Sequence, residues 1–284
     1  MTLTGRFAPS PTGPLHLGSL VAAVGSWLFA RRASGQWWLV RMEDLDTPRV
    51  VAGSADEILR ALERYGLTWD GEVVYQSERI ALYDDALNAL RAKSLVYDCG
   101  CSRADLSRTA SAPIGREPVY PGTCRDGLPA GRVARAVRFR TAHDVIAFDD
   151  MAGGHVEEDV AAETGDFVIR RADGVYAYQL AVVVDDAAQN ITQVVRGADL
   201  LTSTARQIAL QRALGVATPS YAHLPLVLNA DGSKLGKRDG ALPLPSLDEK
   251  RISETLSFAL RFLGIDVEVD SPSRMLQEAL GKSS

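Results

Sequence analysis

Arg6-Phe7-Ala8-Pro9-Ser10-Pro11-Thr12-Gly13-Pro14-Leu15-His16-Leu17-Gly18-Ser19 runs from an apolar, β-type stretch through a Pro- and Gly-punctuated turn into an amphipathic run. Leu17, Leu20, Val21, Val24 and Leu28 then recur at helical spacing. This strand-turn-helix context gives such a motif chemical meaning, because the unpaired N–H groups of a helix start attract anions. Much further along stands a cluster of cations, Lys234-Leu235-Gly236-Lys237-Arg238. Alone, the first stretch could be a turn before a helix and the second an exposed basic loop. Taken in order, they offer a helix entrance with an imidazole for phosphates and a loop of lysines to neutralise them.

Working outward, residues 37–42 read as a buried strand. Residues 52–65 read as a helix carrying Ile58, Leu59, Leu62 and Tyr65, with Gly53 or Ser54 near its start. A further helix is predicted over 78–93. The alternation predicts an α/β fold, a Rossmann-type doubly wound parallel sheet. From about 98 to 134 the rhythm breaks: residues 107–118 and 127–131 are rich in Ser, Gly, Pro and Arg, the mark of an insertion with little apolar core. Strands are expected at 136–139 and 167–170, with loop between. The α/β rhythm returns with the apolar run 178–184, a strand at 191–196 and a helix at 203–214. An amphipathic helix over 252–263 closes the pattern.

Composition narrows the class. Of the 284 residues 46% are hydrophobic and 24% charged, as in an ordinary globular protein that can bury a core. A formal net charge of −5 argues against indiscriminate nucleic-acid binding, though not against a local basic face. No apolar run approaches the ~18 residues of a membrane span, and the start has neither a basic nor an apolar leader region, so a cytoplasmic protein with no membrane partner is expected. Its three cysteines, Cys99, Cys101 and Cys124, lie in one stretch. An odd count in a reducing compartment is a poor disulfide framework, and the clustering points to metal. Zinc prefers four donors, so three thiolates leave one position to fill.

The ordered pair of signatures resembles those of the class I aminoacyl-tRNA synthetases, and residues 6–13 are similar to the opening of the glutamyl branch. The stretches 41–46 (Arg-Met-Glu-Asp-Leu-Asp), 178–186 (Tyr-Gln-Leu-Ala-Val-Val-Val-Asp-Asp) and 195–200 (Val-Arg-Gly-Ala-Asp-Leu) extend that resemblance to about Leu242. Ser19 stands where many class I enzymes carry a second histidine. The Cys cluster interrupts the catalytic region, and the sequence after the second signature is too short for a large helical anticodon-binding region. Together these features resemble the tRNA-modifying members of the branch.

That resemblance implies ATP-dependent activation of L-glutamate to glutamyl adenylate without tRNA, then transfer of glutamate to queuosine at the wobble position of tRNA(Asp). It implies ATP binding by His16, Gly18, Ser19, Lys234 and Lys237, with His16 and Lys237 catalytic and magnesium arriving with ATP. Glutamate has two carboxylates and an ammonium: Arg6 and Arg196 suit the carboxylates, Glu43 the ammonium, and Tyr178 can orient the ligand. These positions match the family's glutamate pattern, as do Ala8 and Ser10, and Arg196 is expected to favour glutamate over glutamine. The pattern also supplies Tyr120 as the fourth ligand of one structural zinc. Asp44 and Asp46 are read as capping or structural, and His143, His155 and His223 as ordinary surface or packing residues.

The expected organisation is a first Rossmann half (1–97), an inserted zinc-bearing subdomain (98–175), a second half with the signature loop (176–240) and a short, mainly helical C-terminal segment (241–284), in a monomer. Gly236 replaces the family's usual serine, which predicts slower activation rather than its loss. Two alternatives stay open: a truncated enzyme charging a tRNA 3′ end, and a non-catalytic tRNA-binding paralogue.

Overall fold

The computed structural model of the chain describes residues 3–32, 36–102, 104–105, 119–229, 244 and 248–282. The first part comprises β1 (Thr4–Phe7), α1 (Leu17–Arg31), β2 (Trp37–Met42), α2 (Ser54–Arg64), β3 (Val74–Tyr75) and α3 (Ile80–Ala92). Then follow β4 (Val96–Cys99), β5 (Ala136–Phe139), β6 (Val145–Asp150), β7 (Gly154–Asp159), the short α4 (Val160–Glu163) and β8 (Val168–Arg170). The remainder is α5 (Tyr178–Ala188), β9 (Gln193–Gly197), α6 (Leu201–Leu214), β10 (Ser220–Leu224), α7 (Glu249–Phe262) and α8 (Pro272–Gly281).

β1 and β2 pair in parallel from Thr4↔Trp37 to Phe7↔Val40, and β3 extends them in parallel at Arg41↔Val74. β9 and β10 pair in parallel from Gln193↔Ser220 to Gly197↔Leu224. The two halves abut where the Thr192 N–H donates to the Thr4 carbonyl (3.0 Å) and the Thr4 N–H to Thr192 Oγ1 (2.9 Å). This is the α/β, parallel-sheet architecture the alternating pattern predicts. Helix α1 is buried around much of its girth because the sheet lies on one side and α7 and α8 on the other. A Cβ on Gly25 would sit 2.3 Å from Leu224 Cδ1, so a side chain there would force Leu224 to move.

One prediction needs correction. The span between the expected strands at 136–139 and 167–170 is not loop: β6 and β7 form an antiparallel hairpin, and β6 also pairs with β10 at Asp150↔Tyr221. Most of β7 (Gly-His-Val-Glu-Glu-Asp) is polar and exposed or half-buried, so it carries little hydrophobic alternation to read. The apolar run 178–184, which the sequence leaves open between buried strand and buried helix, opens α5, whose faces are buried nearly all round. β4, β5 and β8 form a separate antiparallel sheet in the order β4-β5-β8.

Candidate active site

The turn between β1 and α1 is pinned from outside. The Glu43 N–H donates to the Pro9 carbonyl and the Val51 N–H to the Pro11 carbonyl, each at 2.9 Å. Ser54 Oγ accepts from the Gly13 N–H (3.1 Å) and donates to the Gly13 carbonyl (2.8 Å), so this serine at the start of α2 anchors the turn. Gly13 has φ +123°, a conformation side chains resist. His16 is the N-cap of α1: its Nδ1 accepts from the Ser19 N–H (3.3 Å) and its Nε2 lies 3.1 Å from Ser19 Oγ. With Nδ1 the acceptor, the ring proton sits on Nε2, which makes that nitrogen the imidazole's donor.

A cleft of about 430 Å³ opens beside this helix start, within the range of small-molecule sites. Its walls include Gly18, His16 and Ser19 at one end and Arg6, Glu43, Tyr178 and Arg196 at the other, with Ala8 and Ser10 between them in sequence. The nucleotide candidates of the first signature and the glutamate candidates therefore share one cavity. Lys234, Gly236, Lys237 and Arg238 lie outside the described residues.

The polar floor was not legible in advance. Arg6, 3% exposed, donates from Nε to Asp186 Oδ1 at 3.2 Å. Asp186 Oδ1 also accepts from Arg41 Nη2 (2.8 Å), and the two cations hold its carboxyl below the ordinary range although burial pushes the other way. Asp185 accepts from Arg79 Nε (2.6 Å), Gln76 Nε2 (2.8 Å) and Tyr83 Oη (2.8 Å). Glu43 is left with Arg41 Nη2 at 3.8 Å, and burial pushes its pKa up to about 7 against the pull of Arg41 and Arg6.

Arg196 differs in kind. Its Nε donates to His223 Nε2 (3.1 Å), its Nη1 to Gln207 Oε1 (2.8 Å) and Tyr178 Oη (3.2 Å), and its Nη2 to Thr204 Oγ1 (2.8 Å). Every one of these partners accepts without carrying a negative charge. Among the described residues no carboxylate oxygen lies within 4.0 Å of this guanidinium, though it is 4% exposed.

The second cluster lies at the end of β4. The Sγ atoms of Cys99, Cys101 and Cys124 all lie within 4.8 Å of one another, with Cys101 and Cys124 at 3.7 Å. Tyr120 Oη is 3.5 Å from Cys99 Sγ and 3.8 Å from Cys101 Sγ. The Arg138 guanidinium stacks 3.7 Å from the Tyr120 ring centroid and donates from Nε to Cys99 Sγ (3.3 Å). Asp44 and Asp46 take structural partners, Ser77 (2.8 and 2.6 Å) and Arg171 (3.1 Å).

Residues 2–268 match the family described as tRNA synthetases class I (E and Q), catalytic domain. The chain belongs to that family. It is 55% identical to a protein of Geobacter sulfurreducens named glutamyl-Q tRNA(Asp) synthetase, over 98% of this chain and 90% of that one. It is 57% identical to the protein of the same name from Aromatoleum aromaticum, over 92% and 81% of the two chains. Among solved structures, a glutamate tRNA ligase from Elizabethkingia meningosepticum, in complex with its amino acid, superposes with a TM-score of 0.78 at 27% identity. All of this chain aligns, over 65% of that one.

Within this class I chain, the residues sequence reasoning passed over are Arg41, Asp186, Asp150 and His223. His223 was read as an ordinary packing residue and instead abuts Arg196. The Arg-x-Glu spacing of Arg41 and Glu43 at the end of β2 was a signal for the first. For the others the partners are remote in sequence, and no local pattern could have joined them.

Proposed function

We propose that this chain condenses L-glutamate with ATP to glutamyl adenylate without tRNA and then passes glutamate to queuosine at the wobble position of tRNA(Asp), the tRNA named by its relatives. The observation that carries the reading is Arg196: a buried cation that, among the described residues, bonds to uncharged acceptors and faces a cleft whose other end is a helix start. A buried charge without a counterion calls for an anionic ligand. In this reading Arg196 and Tyr178 hold the glutamate side chain, Glu43 takes the ammonium, and Arg6, Ala8 and Ser10 orient the reacting carboxylate. That carboxylate attacks the α-phosphorus of ATP, forming the carboxyl–phosphate bond as pyrophosphate leaves. The protein's part is positioning and charge stabilisation. His16 Nε2–H and the N–H groups opening α1 receive phosphate oxygens, Gly18 and Ser19 border the nucleotide, and magnesium comes with ATP.

Lys234 and Lys237 are assigned to the phosphates. Support comes from described residues on either side of them: Leu226 and Val227 border the cleft, and the Leu244 N–H donates to the Leu15 carbonyl beside His16. The cysteine cluster is assigned one structural zinc. Sulfurs bound at about 2.3 Å in a tetrahedron stand about 3.8 Å apart, and Cys101–Cys124 and both Tyr120 contacts come close to that. Cys99, Cys101, Cys124 and Tyr120 would hold the ion, which would tie β4 to the segment before β5, inside the insertion assigned to residues 98–175.

Pyrophosphate exchange with glutamate and no tRNA tests the first step. Transfer of labelled glutamate to tRNA(Asp) with and without queuosine tests the second. Exchange without tRNA, and transfer only to queuosine-bearing tRNA, are the expected results. Exchange that requires tRNA, or label recovered on the 3′-terminal adenosine after nuclease digestion, overturns the assignment.

A further inference from the structure

Arg196 owes its orientation to a neighbour the reading above does not use. An arginine Nε–H can only donate, so His223 Nε2, 3.1 Å away, must offer a lone pair. A neutral imidazole with that lone pair on Nε2 carries its proton on Nδ1, and Nδ1 lies 2.6 Å from Asp150 Oδ2. Asp150 is itself fixed: its Oδ1 accepts backbone N–H groups of Gly153 (2.8 Å), Ala152 (3.1 Å) and His223 (3.2 Å). Asp150, His223 and Arg196 are 3%, 6% and 4% exposed, so no solvent competes for these bonds. The Tyr221 ring, stacked on His223 with 11° between planes, lies 5.5 Å from the Arg196 guanidinium and walls off the other side. Burial, with Arg196 alongside, holds the His223 pKa below its ordinary value despite Asp150.

We propose that His223 and Asp150 are positioning residues for substrate recognition: Asp150 locks His223 as the Nδ1–H tautomer, and the His223 Nε2 lone pair aims the Arg196 guanidinium at the side-chain carboxylate of glutamate. This rests on the assignment of Arg196 to that carboxylate. Of the five guanidinium N–H groups, four are spent on His223, Tyr178, Gln207 and Thr204. The Nε bond decides which edge meets the ligand. It also explains why the β6–β7 hairpin joins the sheet at Asp150↔Tyr221: that pairing brings the carboxylate under the imidazole.

Three variants and one spectrum test the proposal, with wild-type exchange as the control. His223→Leu removes the acceptor and is expected to raise the KM for glutamate about tenfold or more, the cost of a charge-assisted hydrogen bond, with the KM for ATP within about twofold. Its preference for glutamate over glutamine should fall with it. His223→Gln can place Oε1 where Nε2 stands and should restore the KM to within a few-fold of wild type. Asp150→Asn presents an amide N–H to Nδ1, drives the proton to Nε2 against the Arg196 Nε–H, and should behave as His223→Leu. Equal effects of the Leu and Gln variants, or matching changes in both KM values, overturn the proposal. Nitrogen-15 NMR of wild type should show a neutral His223 protonated on Nδ1; a proton on Nε2 overturns the proposal whatever the kinetics. If the Leu variant fails to fold, the Gln and Asn variants and the spectrum decide alone. Should wild type not exchange with glutamate, the assigned function falls, and the spectrum still judges the tautomer.

Discussion

Replacing Glu43 by glutamine should stabilise the protein while weakening glutamate binding. Glu43 stands at the end of β2 with its side chain 11% exposed, 3.8 Å from an Arg41 that is already committed to Asp186. Its ionised form is thus poorly compensated, and burial raises its pKa from 4.5 to about 7. A carboxyl raised that far costs the folded state on the order of 3 kcal/mol when ionised. The sign follows from proton counting: between pH 4.5 and about 7 the folded state binds more protons here than the unfolded chain. Stability from this group is therefore intact below pH 4.5, is lost as pH rises through that window, and stays lost above it. Glu43→Gln escapes the loss. Urea or thermal unfolding at pH 8 should show the variant more stable by about 2–3 kcal/mol, or roughly 5–10 °C for a chain of this size. At pH 5 the gap should shrink below about 1 kcal/mol. The KM for glutamate should rise at the same time, because the substrate ammonium loses its partner. A variant no more stable than wild type at pH 8, or a gap that persists at pH 5, would refute the reasoning.

Arg196→Ala should abolish the discrimination of glutamate from glutamine in pyrophosphate exchange, and an unchanged ratio would contradict its assignment. Lys237→Ala should slow exchange by about 100-fold, as loss of a transition-state charge donor does; a rate within about twofold of wild type counts against it. Metal analysis should find about one zinc per chain, lost in Cys124→Ser, with chelator lowering the melting temperature. Well under one equivalent and an unmoved melting curve would remove zinc from the account. Ser54→Ala deletes both bonds to Gly13 and should cost about 1–2 kcal/mol in urea unfolding and raise the KM for ATP. An unaffected KM would mean that the turn holds its shape without that anchor.

The parts legible in the sequence are those written locally. The 37–42 strand announces itself as an apolar run between Gly35-Gln36 and an acidic stretch, and β2 occupies those residues. The strand-turn-helix at residues 6–19 is likewise complete in one segment, and its helix forms where the Leu/Val spacing places it. Arg6, Glu43, Tyr178 and Arg196 could be named one by one because each sits in a recognisable stretch. What each is bonded to could not be read. Arg6 and Asp186 are 180 residues apart, and His223 and Asp150 are 73 apart. Asp150 ends a strand that sequence reasoning took for loop, so its pairing with a histidine on β10 had no local signature. Buried polar networks are settled by which strands become neighbours, and that is a property of the sheet rather than of any one segment.

Under the proposed assignment, the two halves of the floor would let one cavity tell glutamate from glutamine. Beneath Arg6 and Arg41 the cations are shared with acids: Asp186 bridges those two arginines, and Arg79 faces Asp185. In the proposed reading, a carboxylate arriving there would meet cations already shared with acids, so it would be held less tightly than one at Arg196. Among the described residues Arg196 has no such acid within 4.0 Å. Its bonds to Tyr178, Gln207, Thr204 and His223 fix its geometry without neutralising it. A side-chain carboxylate brings the missing charge and offers only acceptors to the remaining guanidinium hydrogen. An amide brings no charge, and in one of its two orientations sets N–H against N–H. Discrimination at such a site stems as much from the penalty on the wrong ligand as from attraction to the right one. In the proposed reading the same asymmetry bears on which of glutamate's two carboxylates reacts, because the one held by Arg196 would be the one kept away from ATP.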